Sequence, residues 1–377
     1  MAGIYIHIPF CKQKCTYCNF HFSTSLSQKE ALLEALHTEL IQQKEYLQGA
    51  TIDTIYFGGG TPSLLSADEI NRLMDTLLAD YSCNSLQEFT LEANPDDLKP
   101  AYLKSLKATP VSRLSIGIQS FQDDDLKFMN RSHNAQEADY AIKVAQDTGF
   151  TNLTIDLIYG SPFLSDVDWQ ANLQRVQVLQ IPHFSAYALT VEEGTLLHHN
   201  IRKKLTEPLD QEKAAAQFEI LIDQASQLHY EHYEISNLAL KDHYAIHNTN
   251  YWRGHHYLGI GPSAHSFNGA SRRWNIANNS TYIKSMMGLH PAAHQEEQLT
   301  IANQVNEYVM TTLRTQWGCD LNTLGIKYGK GFKEMIVTAA QSFIQQEYLL
   351  LQGQTLLLTK KGKLIADRIA GELFVEG

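Results

Sequence analysis

The segment Cys11–Cys18, with the sequence CKQKCTYC, places three cysteines on one short loop directly after a predicted first strand. Three thiolates on such a loop can bind three irons of a 4Fe–4S cluster and leave the fourth iron open to an outside ligand. The predicted cluster ligands are Cys11, Cys15 and Cys18. The other two cysteines, Cys83 and Cys319, stand alone in the sequence, and we expect them to be packed thiols.

A structural zinc ion is the alternative occupant of this loop. It needs four ligands and could recruit His7 or His21 as the fourth. Two features of the loop favour the cluster. Lys12 and Lys14 place positive charge near the thiolates, and Tyr17 places an aromatic ring between the second and third cysteines.

Outward from this loop, strand-like runs alternate with helical patterns. The predicted strands are Gly3–His7, Ile52–Phe57, Glu88–Glu92, Arg113–Gln119, Asn152–Leu157 and His183–Ala188. Ser27 with Glu30, and Ser66 with Glu69, fit the capping box that begins a helix. Six strand–helix repeats predict an α/β fold with a parallel sheet, which we interpret as a partial TIM-type (β/α)6 barrel. A doubly wound open sheet is the competing architecture.

The pattern changes near residue 300. Predicted helices Ala302–Trp317 and Lys333–Gln345 precede two apolar strands, Tyr348–Leu351 and Thr355–Leu358, and then a last helix. This order predicts a small helical, winged-helix-like domain over residues 300–377, after a barrel over residues 1–290. Residues from 300 onward hold eight Lys or Arg against seven Asp or Glu, so a packing or docking role is favoured over DNA binding.

Polar residues end three successive strands. Glu92, Gln119 and Asp156 each follow an apolar run, and Arg131 lies shortly after the fourth strand. Because active sites of barrels lie at the carboxyl ends of the strands, we expect these side chains to converge on one ligand. The Gly58–Gly60 run, followed by Thr61, could expose backbone groups to that ligand, or it could simply be a tight turn.

The C-x3-C-x-aromatic-C spacing after a strand resembles the radical S-adenosylmethionine (SAM) superfamily. That resemblance implies that SAM chelates the open iron and is cleaved to a 5′-deoxyadenosyl radical. Within the superfamily, the motifs YIHIPFC, GGGTP, GIQSF, DLIYG and GIG are similar to the oxygen-independent coproporphyrinogen III oxidase-like branch. The residues that this resemblance implies around the cofactor are Tyr5, Tyr17, Gly59, Gly60, Thr61, Glu92, Gln119, Arg131 and Asp156.

Two departures from the true oxidases favour the HemW-type heme chaperones of this branch. The first cysteine is already residue 11, without the long preceding extension of the oxidases, and Phe20 stands where they have a fourth cysteine. The sequence HNTNYW at His247–Trp252 matches the H-N-x-x-Y-W heme motif of the chaperones. His247 would be an axial ligand of heme iron, with His243, His255 and His265 as substitutes.

The resemblance therefore implies a heme chaperone that transfers heme to an acceptor protein. Its cofactors would be a 4Fe–4S cluster, SAM and heme. The alternative function is that of an oxygen-independent coproporphyrinogen III dehydrogenase. The two departures favour the chaperone over this enzyme. The protein that accepts the heme could be associated with a membrane.

The bulk composition of the 377 residues bounds the partners and the compartment. The net charge of −11 argues against nucleic acid as a partner. There is no signal-peptide pattern and no apolar run long enough to span a bilayer, so we expect a cytoplasmic protein.

Overall fold

The computed structural model describes residues 1–288 and 294–376. Its core consists of six strand–helix repeats. The strands are β1 (Ala2–Ile8), β2 (Ile52–Gly59), β3 (Glu88–Ala93), β4 (Arg113–Gln119), β5 (Leu153–Tyr159) and β6 (His183–Ala188). The helices between and after them are α1 (Lys29–Gln42), α2 (Ala67–Asp80), α3 (Pro100–Leu106), α4 (Asp123–Phe128), α5 (Ala135–Asp147) and α6 (Asp166–Val178).

Further elements extend both edges of this core. They are α7 (Leu196–Arg202), α8 (Gln211–Gln227), β7 (Glu231–Glu234), β8 (Asn237–Ala239), α9 (Ile246–Trp252), β9 (His256–Ile260), β10 (His265–Phe267), β11 (Ser271–Asn275), α10 (Asn279–Met286) and β12 (His294–Gln298). In the described residues the sheet has the order β12-β11-β10-β9-β1-β2-β3-β4-β5-β6-β8-β7. Strands β9 and β1 to β6 are parallel, and the outer strands are antiparallel.

The strand order decides between the two predicted architectures. In a doubly wound sheet the order reverses at a switch point, so helices cover both faces. Here β1 to β6 follow one another in chain order, as in a barrel. The predicted α/β partial barrel is therefore confirmed.

The strands alternate between an apolar outer face and a polar inner face. In β4, Leu114, Ile116 and Ile118 are fully buried in the main hydrophobic core, which also contains residues of helices α1, α2, α3, α5 and α6. The intervening residues of the same strand line an interior cavity; they are Arg113, Ser115, Gly117 and Gln119. The two-residue period of a strand thus places the apolar side chains under the helices and the polar ones inside the barrel.

One of the two predicted capping boxes is present. At α2, the Ser66 side chain accepts from the backbone N–H of Glu69, and the Glu69 carboxylate accepts from that of Ser66. The prediction at Ser27 is wrong, because α1 begins at Lys29 with Gln28 at its N-cap and no side-chain cap. The Ser27 hydroxyl instead contacts that of Ser25, at 3.0 Å.

The carboxyl-terminal elements form a second hydrophobic cluster of their own. They are α11 (Ile301–Leu313), β13 (Cys319–Asp320), α12 (Leu321–Tyr328), α13 (Lys330–Gln345), β14 (Leu349–Gln352), β15 (Thr355–Leu358), α14 (Lys360–Lys363) and α15 (Ala366–Glu372). This is the expected winged-helix-like order, although α11 ends four residues before the predicted Trp317. The predicted boundaries at 290 and 300 stay predictions, and residue 290 lies outside the described residues. Within the described ranges, no helix has both the length and the apolar composition needed to cross a bilayer.

The two serines give a matched test of the capping analysis. Ser66→Ala removes the cap of α2 and should lower the free energy of unfolding by about 1 kcal/mol. Ser27→Ala removes a hydroxyl that caps no helix and should leave the unfolding midpoint nearly unchanged. Urea denaturation followed by circular dichroism measures both, and equal losses in the two variants would contradict the assignment.

Candidate functional site

A cavity of about 470 Å³ runs through the inside of the barrel and opens at the cysteine loop. All three predicted cluster ligands line it. Eight of the ten predicted cofactor residues line it too: Tyr17, Gly59, Gly60, Thr61, Glu92, Gln119, Arg131 and Asp156. Tyr5 lies behind this lining, with its ring stacked on that of Tyr56, and His247 lies elsewhere.

The cysteine loop is held by backbone and side-chain hydrogen bonds from the segment after α4. The N–H of Thr16 donates to the carbonyl of Met129 at 3.1 Å, and Asn130 donates to the carbonyl of Lys14 at 2.7 Å. Arg131 donates to the sulfur of Cys15 at 3.2 Å. The guanidinium therefore supplies positive charge to the thiol group.

Lys12 does not place its positive charge beside the thiolates, as was predicted for it. Its ammonium group pairs with Asp96, at 2.8 Å, and with Asp97. These carboxylates follow β3, so Lys12 ties the cysteine loop to the neighbouring strand end instead of neutralising thiolates. Arg131 provides positive charge at Cys15, and Lys14 favours the thiolate form of Cys18 as predicted.

The chemistry of the donor set fits an iron–sulfur cluster. The three thiols of the loop are free, half-buried and face one cavity. Burial raises the pKa of the Cys11 thiol to about 11, so binding of thiolate ligands releases protons. A 4Fe–4S cluster held by these three thiolates would keep one iron free for a further ligand.

The two histidines considered as zinc ligands are engaged in other contacts. One ring nitrogen of His7 lies 3.1 Å from the Tyr5 hydroxyl, and the other lies 2.9 Å from the carbonyl of His21. The Nε2 atom of His21 lies 2.7 Å from Asn279. In residues 1–288 and 294–376, no three His, Cys, Asp or Glu side chains are grouped closely enough to hold a single metal ion.

Glu92 lies inside the cavity and has an unusual protonation equilibrium. Its carboxylate accepts from the Tyr56 hydroxyl at 2.7 Å and from the N–H of Gly59 at 3.1 Å. Burial raises the pKa of Glu92 to about 7, and the nearby Asp156 carboxylate adds to this shift. Burial likewise raises the pKa of Asp156 to about 6. Raised carboxyl pKa values in a cavity are typical of binding and catalytic sites.

The fold itself requires glycine at positions 59 and 60, whether or not a ligand contacts this loop. Gly59 has φ +104°, and a Cβ added there would lie 2.4 Å from the ring of His7. A Cβ on Gly60 would lie 2.6 Å from the carbonyl oxygen of Phe10. A side chain at either position would therefore disrupt the packing of β2 against β1 and the loop that follows β1, so substituting these glycines cannot isolate a contact with SAM.

Two further predicted residues are held in place at the cavity wall. Arg131 donates to the carbonyl of Gly117 at 2.7 Å and to Asn94 at 2.8 Å. Gln119 ends β4 with φ +68°, a left-handed conformation that residues other than glycine rarely adopt. Such backbone strain is concentrated at functional sites.

His247 lies at the opposite end of the barrel, beside the starts of β1 and β2. Its Nδ1 lies 2.8 Å from the Thr54 hydroxyl and its Nε2 lies 3.1 Å from the Tyr251 hydroxyl. The side chain is 3% exposed, and burial lowers the pKa of His247 to about 3. Beside it is a crevice of about 10 Å³, shared with His255, which has room for about one water molecule.

Several residues of the cavity were missed by the sequence analysis. They are Tyr56, Asn94, Arg113, Ser115, Thr154, His183, Ser185, Tyr187 and Asn248. Most of them lie on the strands, and Arg113, Ser115 and Thr154 lie an even number of positions before a predicted residue of the same strand. Alternation along each strand could have identified them, because any polar residue an even number of positions before Gln119 or Asp156 points inward.

The chain is similar to known proteins over its whole length. Residues 5–176 match the family model of the radical SAM superfamily. The chain is 31% identical to the heme chaperone HemW of Bacillus subtilis (strain 168), with 100% of both chains covered. It is 36% identical to the heme chaperone HemW of Escherichia coli (strain K12), over 70% of this chain and 69% of the relative.

A solved structure has the same fold. Coproporphyrinogen III oxidase (HemN) from Escherichia coli superposes with a TM-score of 0.84, covering 99% of this chain and 90% of the oxidase. The two sequences are 21% identical, so this likeness concerns the fold alone.

The first prediction from the site concerns the cluster ligands. Cys15→Ala should lose most of the iron and inorganic sulfide after anaerobic reconstitution, because it removes one of three thiolates. Cys83→Ala and Cys319→Ala are matched controls, since both thiols are buried away from the cavity, and they should keep full iron content. Stoichiometric zinc without sulfide in the native protein would contradict the cluster.

The second prediction concerns the pH dependence of SAM binding. An ionised Glu92 can accept hydrogen bonds from the methionyl amine, and its carboxyl ionises as pH rises through about 7. SAM affinity should therefore fall as pH is lowered from 8 to 6, and Glu92→Gln should bind SAM more weakly with a flatter profile. Electron paramagnetic resonance of the reduced cluster, titrated with SAM at each pH, measures both.

The amine of SAM titrates as well, so the difference between the two profiles isolates Glu92. Glu69→Gln serves as the control, because Glu69 caps α2 outside the cavity. Parallel profiles for wild type and Glu92→Gln would exclude a role of Glu92 ionisation in SAM binding.

Proposed function

We propose that this chain, which belongs to the HemW family of the radical SAM superfamily, is a heme carrier that passes heme to an acceptor protein. The similarity to heme chaperones along the whole chain is the observation that carries this proposal. The sequence HNTNYW on α9 supports it, because it combines an imidazole with two large aromatic rings. The acceptor is a second protein. The carrier itself is proposed to be cytoplasmic.

The cavity is the proposed site of the 4Fe–4S cluster and SAM. Cys11, Cys15 and Cys18 would bind the cluster at the cavity opening. When bound and reduced, such a cluster supplies one electron to the sulfonium of SAM. Glu92 would accept from the methionyl amine, while Arg131 would hold Cys15 and the strand end in place. Gln119 and Asp156 line the wall along which the rest of SAM would lie.

Heme binding at His247 requires α9 to move. Both ring nitrogens of His247 are hydrogen-bonded, and the adjoining crevice is far too small for a porphyrin. Iron can bind to Nε2 only after the Tyr251 hydroxyl has left it. We therefore propose that α9 swings away from β1 and β2 when heme binds, which exposes the imidazole and the rings of Tyr251 and Trp252.

Specific contacts hold α9 in its closed position. Its first N–H groups, on Ile246 and His247, donate to the Glu88 carboxylate at 2.9 and 3.0 Å. Asn250 donates to Asp53 at 3.0 Å. The Trp252 ring packs under the guanidinium of Arg314, which follows α11, at 5.3 Å. Each contact must be lost or replaced during opening, so heme binding should be slow.

Coproporphyrinogen decarboxylation is the competing activity. The exposed ring of Phe20 lies at the cavity rim, in the position where the oxidases have a fourth cysteine. A porphyrinogen contains no iron, so a ligating histidine on α9 would contribute nothing to its binding. We expect no SAM-dependent decarboxylation of coproporphyrinogen III.

The heme proposal is tested with variants of α9. His247→Ala should weaken heme binding and change the iron's ligand signature, because it removes an axial ligand. Tyr251→Phe keeps the ring but removes the hydroxyl on Nε2, so heme should bind several-fold faster with the same ligand signature. Stopped-flow absorbance gives the rates and resonance Raman spectroscopy identifies the ligand.

His37→Ala is the control, because His37 lies on α1 against Thr76 of α2 and outside α9. It should bind heme as the wild type does. Heme binding that is indifferent to His247, together with robust porphyrinogen decarboxylation, would overturn the carrier proposal in favour of the dehydrogenase.

A further inference from the structure

Arg113 is a buried cation, and two of its guanidinium nitrogens have no hydrogen-bond partner among the described residues. It begins β4, is 1% exposed, and points into the cavity. Its Nε and Nη2 atoms are buried and donate to no atom of residues 1–288 and 294–376. The nearest carboxylate oxygen belongs to Glu88, 3.8 Å from Nε, which is beyond hydrogen-bond distance.

Glu88 does not hydrogen-bond this guanidinium, and its oxygens instead accept from the N-terminus of α9. One oxygen accepts from the N–H of Ile246, and the other accepts from the N–H of His247 and from the Thr90 hydroxyl. Glu88 therefore offsets the charge of Arg113 at a distance but leaves its donors unpaired. Buried polar groups are almost always hydrogen-bonded, and leaving charged donors unpaired is especially costly. A molecule bound in the cavity can supply the acceptor that these donors lack.

The region around Arg113 forms the floor of the cavity, away from the cysteine loop. Arg113 lies four residues before Gly117, whose carbonyl accepts from Arg131. Four residues span about 13 Å along a strand, at roughly 3.3 Å per residue. The floor is completed by Ser115, Thr154 and Asn248. The Ser115 hydroxyl is hydrogen-bonded to Asp156 and the Thr154 hydroxyl to His183, so the Asn248 amide is the group that can donate a further hydrogen bond to a ligand held by Arg113.

The charged groups near Arg113 favour one class of anionic ligand over another. The two carboxyl groups that face Arg113 are Glu88 and Asp156. His183 is neutral, because burial lowers its pKa and its ring nitrogens lie 2.6 Å from the Thr154 hydroxyl and 2.7 Å from that of Tyr233. Two acidic neighbours disfavour a dianionic phosphate, whereas a carboxylate carries one charge and fits the fork of a guanidinium.

We propose that the floor of the barrel cavity binds the carboxylate of a small organic acid through Arg113. The acid lies with its other end toward the cysteine loop, where SAM chemistry takes place. This site is formed with α9 in its closed position, because Asn248 of the floor belongs to α9. The methionyl carboxylate of SAM has the same chemistry, so the experiment must separate it from a second ligand.

The test uses benzoate as the probe and benzamide as its neutral isostere, with the full-length, cluster-containing protein. Benzoate should raise the thermal unfolding midpoint of the wild type, and benzamide should not. Arg113→Met removes the guanidinium while keeping an unbranched chain, and should weaken benzoate at least tenfold in calorimetric titration. Arg273→Met is the matched control, because Arg273 is also buried but pairs with Glu39 away from the cavity.

A second measurement avoids the risk that Arg113→Met fails to fold. Wild-type crystals soaked in 4-bromobenzoate should show an anomalous bromine peak within the barrel, with the carboxylate at Arg113. Saturating SAM should leave this peak in place. Bromine at Arg131 only, loss of the peak with SAM, no binding at millimolar concentration, or an unchanged response in Arg113→Met would each overturn the proposal.

Discussion

The two-residue alternation of the barrel strands is the constraint on which the rest of the structure depends. Each parallel strand buries its outer face under helices, and there apolar residues such as Ile116 and Leu157 contribute the main core. The inner face cannot also be filled with apolar side chains if the barrel is to hold polar ligands. It therefore carries hydroxyl, carboxyl and guanidinium groups, which must be satisfied by each other or by bound molecules.

Glu88 connects α9 with the floor of the cavity. It caps the N-terminus of α9, where the heme motif begins, and it is the nearest carboxylate to Arg113 at the cavity floor. Movement of α9 would remove two N–H donors from Glu88 and leave its oxygens free to turn toward the guanidinium. The proposed movement of α9 would therefore change the surroundings of Arg113 in the cavity through one side chain.

Much of the barrel could be predicted because its signals are local. Six strands were located to within two residues, and the cysteine spacing identified a loop that does line a cavity with eight of the predicted cofactor residues. The position of His247 could not be predicted, because it depends on α9 folding back beneath the start of β2, where Thr54 lies 193 residues earlier in the chain. Likewise, only the structure shows that Lys12 pairs with the residues after β3 and that Glu88 is committed to α9.

The carboxyl-terminal elements act on the heme motif through reciprocal contacts. Arg314 packs over Trp252 of α9, and Arg253, directly after α9, packs over Trp317. Arg314 also pairs with Glu234 of β7 at 3.2 Å, so its position is fixed relative to the barrel. Opening of α9 must therefore break both arginine–aromatic pairs, each of which contributes about 1 kcal/mol when partly buried. Displacement of Arg314 would remove one of these pairs and lower the barrier to the proposed opening of α9, so the carboxyl-terminal elements are placed to influence that movement.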